Sequence, residues 1–324
     1  MQAIGIDIGG TKIAGALVDE FGAIVEYKRV PTDAADPRAL ETAAVEMVES
    51  LAGGRTLPVG VAAAGFIDAG QSVVYYAPNI RWRNEPIRQR LEERLRVPVI
   101  VENDANAAGW AEFRYGAGRL VSDMVMITSG TGVGGAVVAD DRLLRGGFGV
   151  AGELGHLRVV PDGLPCGCGA RGCIEQYGSG RALLRMANAI ADGGGIGTPL
   201  AEARGANGGT LDGGIVASLV AEDDPGALAA LRQLGSWLGQ AAASLSAVLD
   251  PQLFVLGGGV AESGEKLLEP IRAAYLNHLP ARGYHPEPAF AAAELGNDAG
   301  VVGAADLARL HFGDPLHEYS PRQG

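Results

Sequence analysis

Three glycine-rich turns, one polar helix start and one crowded set of thiols are the parts of this sequence equipped for chemistry. The first turn is Asp7-Ile8-Gly9-Gly10-Thr11-Lys12. Its glycines let backbone N–H groups approach an oxyanion, while Thr11 and Lys12 add a hydroxyl and a cation. Asp7 ends an apolar run, a place from which it can hold Mg²⁺ through water, as hard cations with phosphate partners require. The pattern is not the GxxxxGK[ST] of a P-loop, and read alone a ligand-free hairpin has the same composition. The second turn, Ser129–Gly135, carries Gly130, Thr131, Gly132 and Gly134. The third, Gly257-Gly258-Gly259, follows the apolar run Leu253–Leu256 and offers little bulk against a flat nucleoside. Plain strand-to-helix packing accounts for it equally well.

A second concentration of polar side chains lies in residues 102–175. Glu102-Asn103-Asp104-Ala105-Asn106 follows the apolar run Val97–Val101 and opens a helix expected over Ala105–Arg114. Ligands of α/β sheets bind at the carboxyl ends of strands. Helix capping needs one Asp or Asn, so three polar side chains in a row exceed it. Further on, Glu153-Leu-Gly-His156 precedes Cys166, Cys168, Cys173 and Glu175. Three crowded cysteines do not make a disulfide framework. With His156, ten residues before Cys166, they form a three-thiolate, one-imidazole set suited to closed tetrahedral zinc. Four protein ligands leave no open position for water, so such an ion is structural. It would pin the loop of Glu153 against the segment of Glu175, fixing two carboxylates that can accept hydrogen bonds from hydroxyl groups.

The elements that position these residues follow from periodicity. Ala3–Ile8, Ile13–Val18 and Ala23–Val30 read as three antiparallel strands on short connections. Helices are expected at Pro37–Leu51, Glu85–Leu95, behind the cap Ser179, and at Pro225–Leu249, Glu262–His278 and about Asp298–Leu310. Strands are expected at Val59–Ala64, Val97–Val101, Leu253–Leu256 and Ala289–Ala293, and Asp192–Gly214 reads as a glycine-rich stretch without assigned structure. Met124–Val138 repeats the pattern of Ile4–Val18 at an offset of 120 residues, with identities at Gly10/Gly130, Thr11/Thr131, Gly15/Gly135, Ala16/Ala136 and Val18/Val138. A duplicated strand–turn–strand predicts two related α/β domains facing each other across a phosphate-sized gap.

Composition narrows the class. A chain of 324 residues favours two domains, and a formal charge of −12 argues against a general nucleic-acid surface. The sequence starts on an apolar strand without a secretory pattern, and no apolar stretch approaches the roughly 20 residues of a membrane span. The expectation is a cytoplasmic protein without membrane or nucleic-acid partners.

Together these residues resemble the ROK family of repressors, open reading frames and sugar kinases, within the sugar kinase/actin-like superfold. The resemblance rests on the Glu102–Ala108 run (ENDANAA), Glu153-Leu-Gly-His156 and the Cys166–Glu175 run, and extends over nearly the whole chain. It implies a duplicated actin-like (ribonuclease H-like) fold with an inter-domain cleft. Residues 1–117 with the helix at about 298–312 would form the small domain, and 118–297 the large one with the zinc loop. Among the family's kinases the likeness is to bacterial ATP-dependent glucokinases. By that resemblance Asp104 is the general base. Gly65, Asn103, Asp104, Glu153, His156 and Glu175 contact the sugar. Asp7, Gly9–Lys12 and Gly130–Gly134 cradle the phosphates of ATP and its Mg²⁺, and Gly257 and Gly258 contact the nucleoside. His156 would serve both zinc and sugar. The cysteine cluster favours ATP over polyphosphate, and a homodimer or homotetramer is implied. Alternatives within the family are N-acetylmannosamine, N-acetylglucosamine, fructose or allose as acceptor. A sugar-responsive repressor would need a helix-turn-helix of about 60 residues ahead of the Asp7 turn, which this sequence does not contain.

Overall fold

The computed structural model describes residues 1–32, 36–193 and 198–313. The chain opens with β1 (Ala3–Ile8), β2 (Lys12–Val18) and β3 (Ile24–Pro31). β1 and β2 pair antiparallel with Ile8 opposite Ile13, so the Gly9–Thr11 segment is forced into a tight turn, closed by Gly9 N–H donating to Lys12 O at 3.0 Å. Helix α1 (Pro37–Ala52) starts on Pro37, whose missing N–H costs nothing there, and Asp36 caps it by accepting from the N–H groups of Arg38 and Ala39. β4 (Val59–Ala63) is followed by the short strands β5 (Phe66–Ile67), β6 (Val74–Tyr76) and β7 (Arg83–Glu85). Next come α2 (Ile87–Leu95), β8 (Val99–Asn103) and α3 (Asp104–Tyr115).

The second half begins with the hairpin strands β9 (Met124–Ser129) and β10 (Val133–Ala139), then β11 (Arg142–Leu143). The helical segments α4 (Glu175–Gly178), α5 (Gly180–Asp192), α6 (Pro199–Ala206), α7 (Gly213–Ala221) and α8 (Pro225–Leu249) follow. β12 (Leu253–Gly257), α9 (Glu265–His278), β13 (Ala289–Ala292) and α10 (Ala299–Phe312) end the described chain.

The duplication expected from the repeat is visible in topology. One sheet runs β3-β2-β1-β4-β8 and another runs β11-β10-β9-β12-β13. In the first, β4 lies parallel to both β1 and β8; in the second, β12 lies parallel to both β9 and β13. A third sheet, β5-β6-β7, is antiparallel and has no counterpart among the described residues. Its strands are only two or three residues long, too short to show period-two patterning in the sequence.

By contacts the described residues divide into two compact units, one drawn from 1–122, 136–152 and 294–313, the other from 123–135 and 153–293. The first has a continuous aliphatic core built from β1, β4, β8, α1 and α2, including Ile4, Ile6, Leu40, Val59, Val99 and Leu91. On its other face α10 lies directly on the sheet. A Cβ at Gly60 would stand 1.8 Å from Ala304 O, so only glycine permits this approach. The second unit packs α5 and α9 against the long helix α8.

Three expectations are corrected. Helix α2 starts at Ile87 because Glu85 pairs in β7 and Pro86 occupies the cap. The helix expected over Glu262–His278 is a 3-10 turn, Gly259–Ser263, broken at Gly264 (φ 58°) before α9 begins. Asp192–Gly214 is not featureless: Thr198 caps α6 by accepting from Ala201 N–H, and Gly213 starts α7 behind Asp212. Residues 194–197 of that stretch lie outside the described residues.

Candidate active site

In the first unit the polar residues converge on the carboxyl ends of β1, β4 and β8, where the parallel register aligns Asp7 with Ala62 and Ala63 with Asn103. Asn103 ends β8 and caps α3: its Oδ1 accepts from Asn106 N–H at 3.0 Å. Its Nδ2 donates to Gly65 O at 3.0 Å, so one amide joins two predicted sugar-contact positions. Asp104 occupies the first helical position, with Oδ1 accepting from Ala105 N–H at 2.9 Å. Burial holds the Asp104 carboxyl above the ordinary carboxylate range, against the opposing pull of backbone N–H groups. Asp7 is pushed up to about 6, chiefly by burial and then by the charge of Asp104, with Lys12 pulling the other way. A divalent cation beside Asp7 would relieve the repulsion it feels from Asp104.

In the second unit the Gly130–Gly134 turn and the thiol cluster meet at Glu175. Gly130 N–H donates to Gly132 O at 3.0 Å, and Gly134 N–H to Thr128 Oγ1 at 3.2 Å. Glu175 Oε2 lies 3.4 Å from Val133 N, and a Cβ at Gly132 would come within 2.5 Å of that oxygen. The other oxygen, Oε1, stands 3.7 Å from Cys166 Sγ. Glu153 leads into the 3-10 turn Leu154–His156, whose His156 N–H returns to Glu153 O at 3.1 Å. The third turn bends at Gly258 (φ 82°), directly after β12.

One ligand atom from each of His156, Cys166, Cys168 and Cys173 lies within 4.8 Å of every other. A tetrahedron with zinc–sulfur bonds of about 2.3 Å has edges of about 3.8 Å. Cys168 Sγ and Cys173 Sγ are 3.7 Å apart, and Cys166 Sγ lies 3.8 Å from His156 Nδ1. The cluster therefore fits tetrahedral zinc, with Nδ1 as the ring nitrogen on the sulfur side. Burial and the neighbouring thiols push Cys173 up to about 12, whereas backbone hydrogen bonding led by Ala170 lowers Cys168. A bound cation would offset the mutual repulsion of these thiols as thiolates.

In the first unit, Gln71 and Arg145, which no sequence motif points to, meet Glu102 at the end of β8. Arg145 Nε donates to Glu102 Oε2 at 2.7 Å, and Gln71 Nε2 donates to the same oxygen at 3.1 Å. Partners 31 and 43 residues away leave no spacing signal.

A family model described as the ROK family matches residues 3–310. The chain belongs to the ROK family. Its sheets are those of the actin-like α/β fold of the ROK sugar kinases. The chain is similar to the glucokinase of Streptomyces coelicolor, 47% identical over 312 residues, or 94% of this chain and 97% of that one. It is also similar to the N-acetylmannosamine kinase of Escherichia fergusonii, 36% identical over 95% of this chain and 99% of the relative. Among solved structures, a ROK family glucokinase from Streptomyces griseus in complex with glucose and AMPPNP superposes with a TM-score of 0.85. The two are 44% identical, covering 96% of this chain and 100% of that one. Among the described residues of this ROK protein no helix is long and apolar enough to cross a membrane.

Proposed function

We propose that this chain is an ATP-dependent glucokinase, transferring the γ-phosphoryl group of ATP to the 6-hydroxyl of glucose. The observation that carries the reading is Asp104. It sits at the carboxyl end of a parallel strand, clamped by Ala105 N–H, with its carboxyl raised by burial and a second carboxyl, Asp7, within electrostatic reach. The likeness to the Streptomyces coelicolor glucokinase and to the Streptomyces griseus enzyme bound to glucose and AMPPNP supports it.

In this reading Asp104 takes the proton of the 6-hydroxyl as the new O–P bond forms. The bond from the γ-phosphorus to its bridging oxygen breaks, and ADP leaves with the electron pair. A raised carboxyl is a better base once ionised, and phosphorus captures the developing alkoxide in the same step. Family likeness assigns the phosphates to the Gly9–Lys12 and Gly130–Gly134 turns and the nucleoside to Gly257–Gly258; the N–H groups of Gly9, Gly130 and Gly134 already close those turns internally. Asp7 is the carboxylate that would hold Mg²⁺, which would supply neutralisation of the phosphate charge when bound. Asn103, Glu153, Glu175, the Gly65 backbone and His156 bind sugar hydroxyls. His156 Nδ1, Cys166, Cys168 and Cys173 would hold a zinc ion that would supply rigidity, leaving the other ring nitrogen of His156 for the sugar.

The 36% identical N-acetylmannosamine kinase favours a second reading, in which the acceptor carries an acetamido group. A panel of glucose, N-acetylmannosamine, N-acetylglucosamine and fructose with ATP-coupled ADP detection separates the two. Glucose should give the highest kcat/KM, and a preference for an N-acetylhexosamine would replace the first reading by the second. Family likeness further supports a cytoplasmic homodimer or homotetramer, which sedimentation analysis tests.

A further inference from the structure

Glu102 ends the buried part of β8, immediately before the Asn103–Asp104 pair, and is 2% exposed. A carboxylate removed from water this completely is costly unless its lone pairs are partnered. Here four donors converge on it. Oε1 accepts from Asn103 N–H at 3.0 Å and from Asn106 Nδ2 at 3.1 Å. Oε2 accepts from Gln71 Nε2 at 3.1 Å and from Arg145 Nε at 2.7 Å.

The two oxygens do different work. The Oε1 pair lies on the backbone and side chain that flank Asp104, since Asn103 and Asn106 are also joined through the α3 cap. The Oε2 pair reaches outward to two loops. Gln71 holds a left-handed backbone (φ 54°), and its carbonyl accepts from Val101 N–H at 2.9 Å, so main chain and side chain both grip the end of β8. Arg145 starts a loop closed by Ala151 N–H donating to Arg145 O at 3.0 Å. Capping α3 requires only Asn103, and holding β8 in its sheet requires only backbone pairing. A saturated buried carboxylate at this point exceeds both needs.

We infer that Glu102 is a positioning residue for the acceptor side of the reaction: it fixes Asn103 and, through it, Asp104, and it ties their turn to the loops of Gln71 and Arg145. The inference rests on the glucokinase reading for the identity of the acceptor. Glu102→Gln is the informative variant. Whichever way the new amide turns, its NH₂ group faces two donors, either Asn103 N–H with Asn106 Nδ2 or Gln71 with Arg145.

The experiment compares steady-state kinetics and thermal unfolding of wild type, Glu102→Gln, Arg145→Gln and the double variant. For Glu102→Gln, kcat/KM for glucose should fall about 100-fold, the scale of an ångström-size misplacement of reacting groups. KM for ATP should stay within about twofold, because the phosphate turns are not part of the network. Arg145→Gln removes the same ion pair from its more exposed side and should cost about tenfold in glucose kcat/KM. It serves in place of Glu102→Gln if that protein does not fold. The double variant can form a neutral Gln–Gln hydrogen bond, so its loss should be smaller than the product of the single losses. Unchanged glucose parameters accompanied only by a lower Tm would overturn the inference, since a purely structural carboxylate does that. A wild type inactive on glucose would instead sink the glucokinase reading. The same comparison on the acceptor found by the sugar panel would then decide the role of Glu102.

Discussion

Asn103 Nδ2 donates to Gly65 O at 3.0 Å while Asn103 Oδ1 caps α3, so a single side chain fastens the loop after β4 to the start of the helix that begins with Asp104. Asn103→Ala removes both contacts. Loss of such a cap costs about 0.5–2 kcal/mol, so Tm should fall by several degrees. KM for glucose should rise at least tenfold, or about 1.4 kcal/mol of lost binding. A variant with lower Tm but unaltered glucose KM would show that Asn103 serves the helix alone.

Asp104→Ala should reduce kcat by about 10²–10⁴-fold, the usual contribution of a positioned general base. Glucose binding, followed calorimetrically without ATP, should remain within about tenfold of wild type. Near-normal turnover would remove Asp104 from the mechanism. The raised Asp104 carboxyl also predicts that kcat declines on the acid side above the ordinary carboxylate range, because the protonated form cannot accept the hydroxyl proton.

Asp7 gives a prediction with a definite sign. Its folded-state carboxyl titrates at about 6 rather than near 3.8, so between those values the folded chain binds more protons than the unfolded one, and stability falls as pH rises. The penalty is complete above about pH 6 and amounts to about 3 kcal/mol. Asp7→Asn should therefore be more stable than wild type at pH 8 without added Mg²⁺, and not at pH 4, while losing most of its turnover. Denaturant melts at the two pH values decide it; equal stability changes at both would contradict the electrostatic account.

Metal analysis of protein purified without chelator should find about one zinc per chain. Replacing Cys173, the most deeply buried of the three thiols, by serine should abolish stoichiometric zinc and lower Tm. Full activity in metal-free protein that stays folded would refute the structural role.

The local devices were readable because each is written in consecutive residues. The β1–β2 hairpin, the Ser179 cap of α5 and the span Pro225–Leu249 of α8 depend on short-range periodicity, turn glycines and caps. The small β5–β7 sheet was not legible, because strands of two or three residues are set by their partners and carry no period of their own. The break at Gly264 was also hidden, since a glycine within a helical pattern is tolerated as often as it interrupts.

From its sequence alone the chain determined its family signature, the identity of its carboxylates and thiols, and the duplicated strand–turn–strand, because these are matters of residue type and short spacing. The tertiary structure decided the rest. It brought four sulfur and nitrogen ligands to within 4.8 Å, set Glu175 between the Gly132 turn and Cys166, and surrounded Glu102 with donors from Gln71 and Arg145. It also raised Asp7 by enclosing it near Asp104. Burial and long-range pairing produce these effects, and neither has a period or spacing that a linear sequence displays.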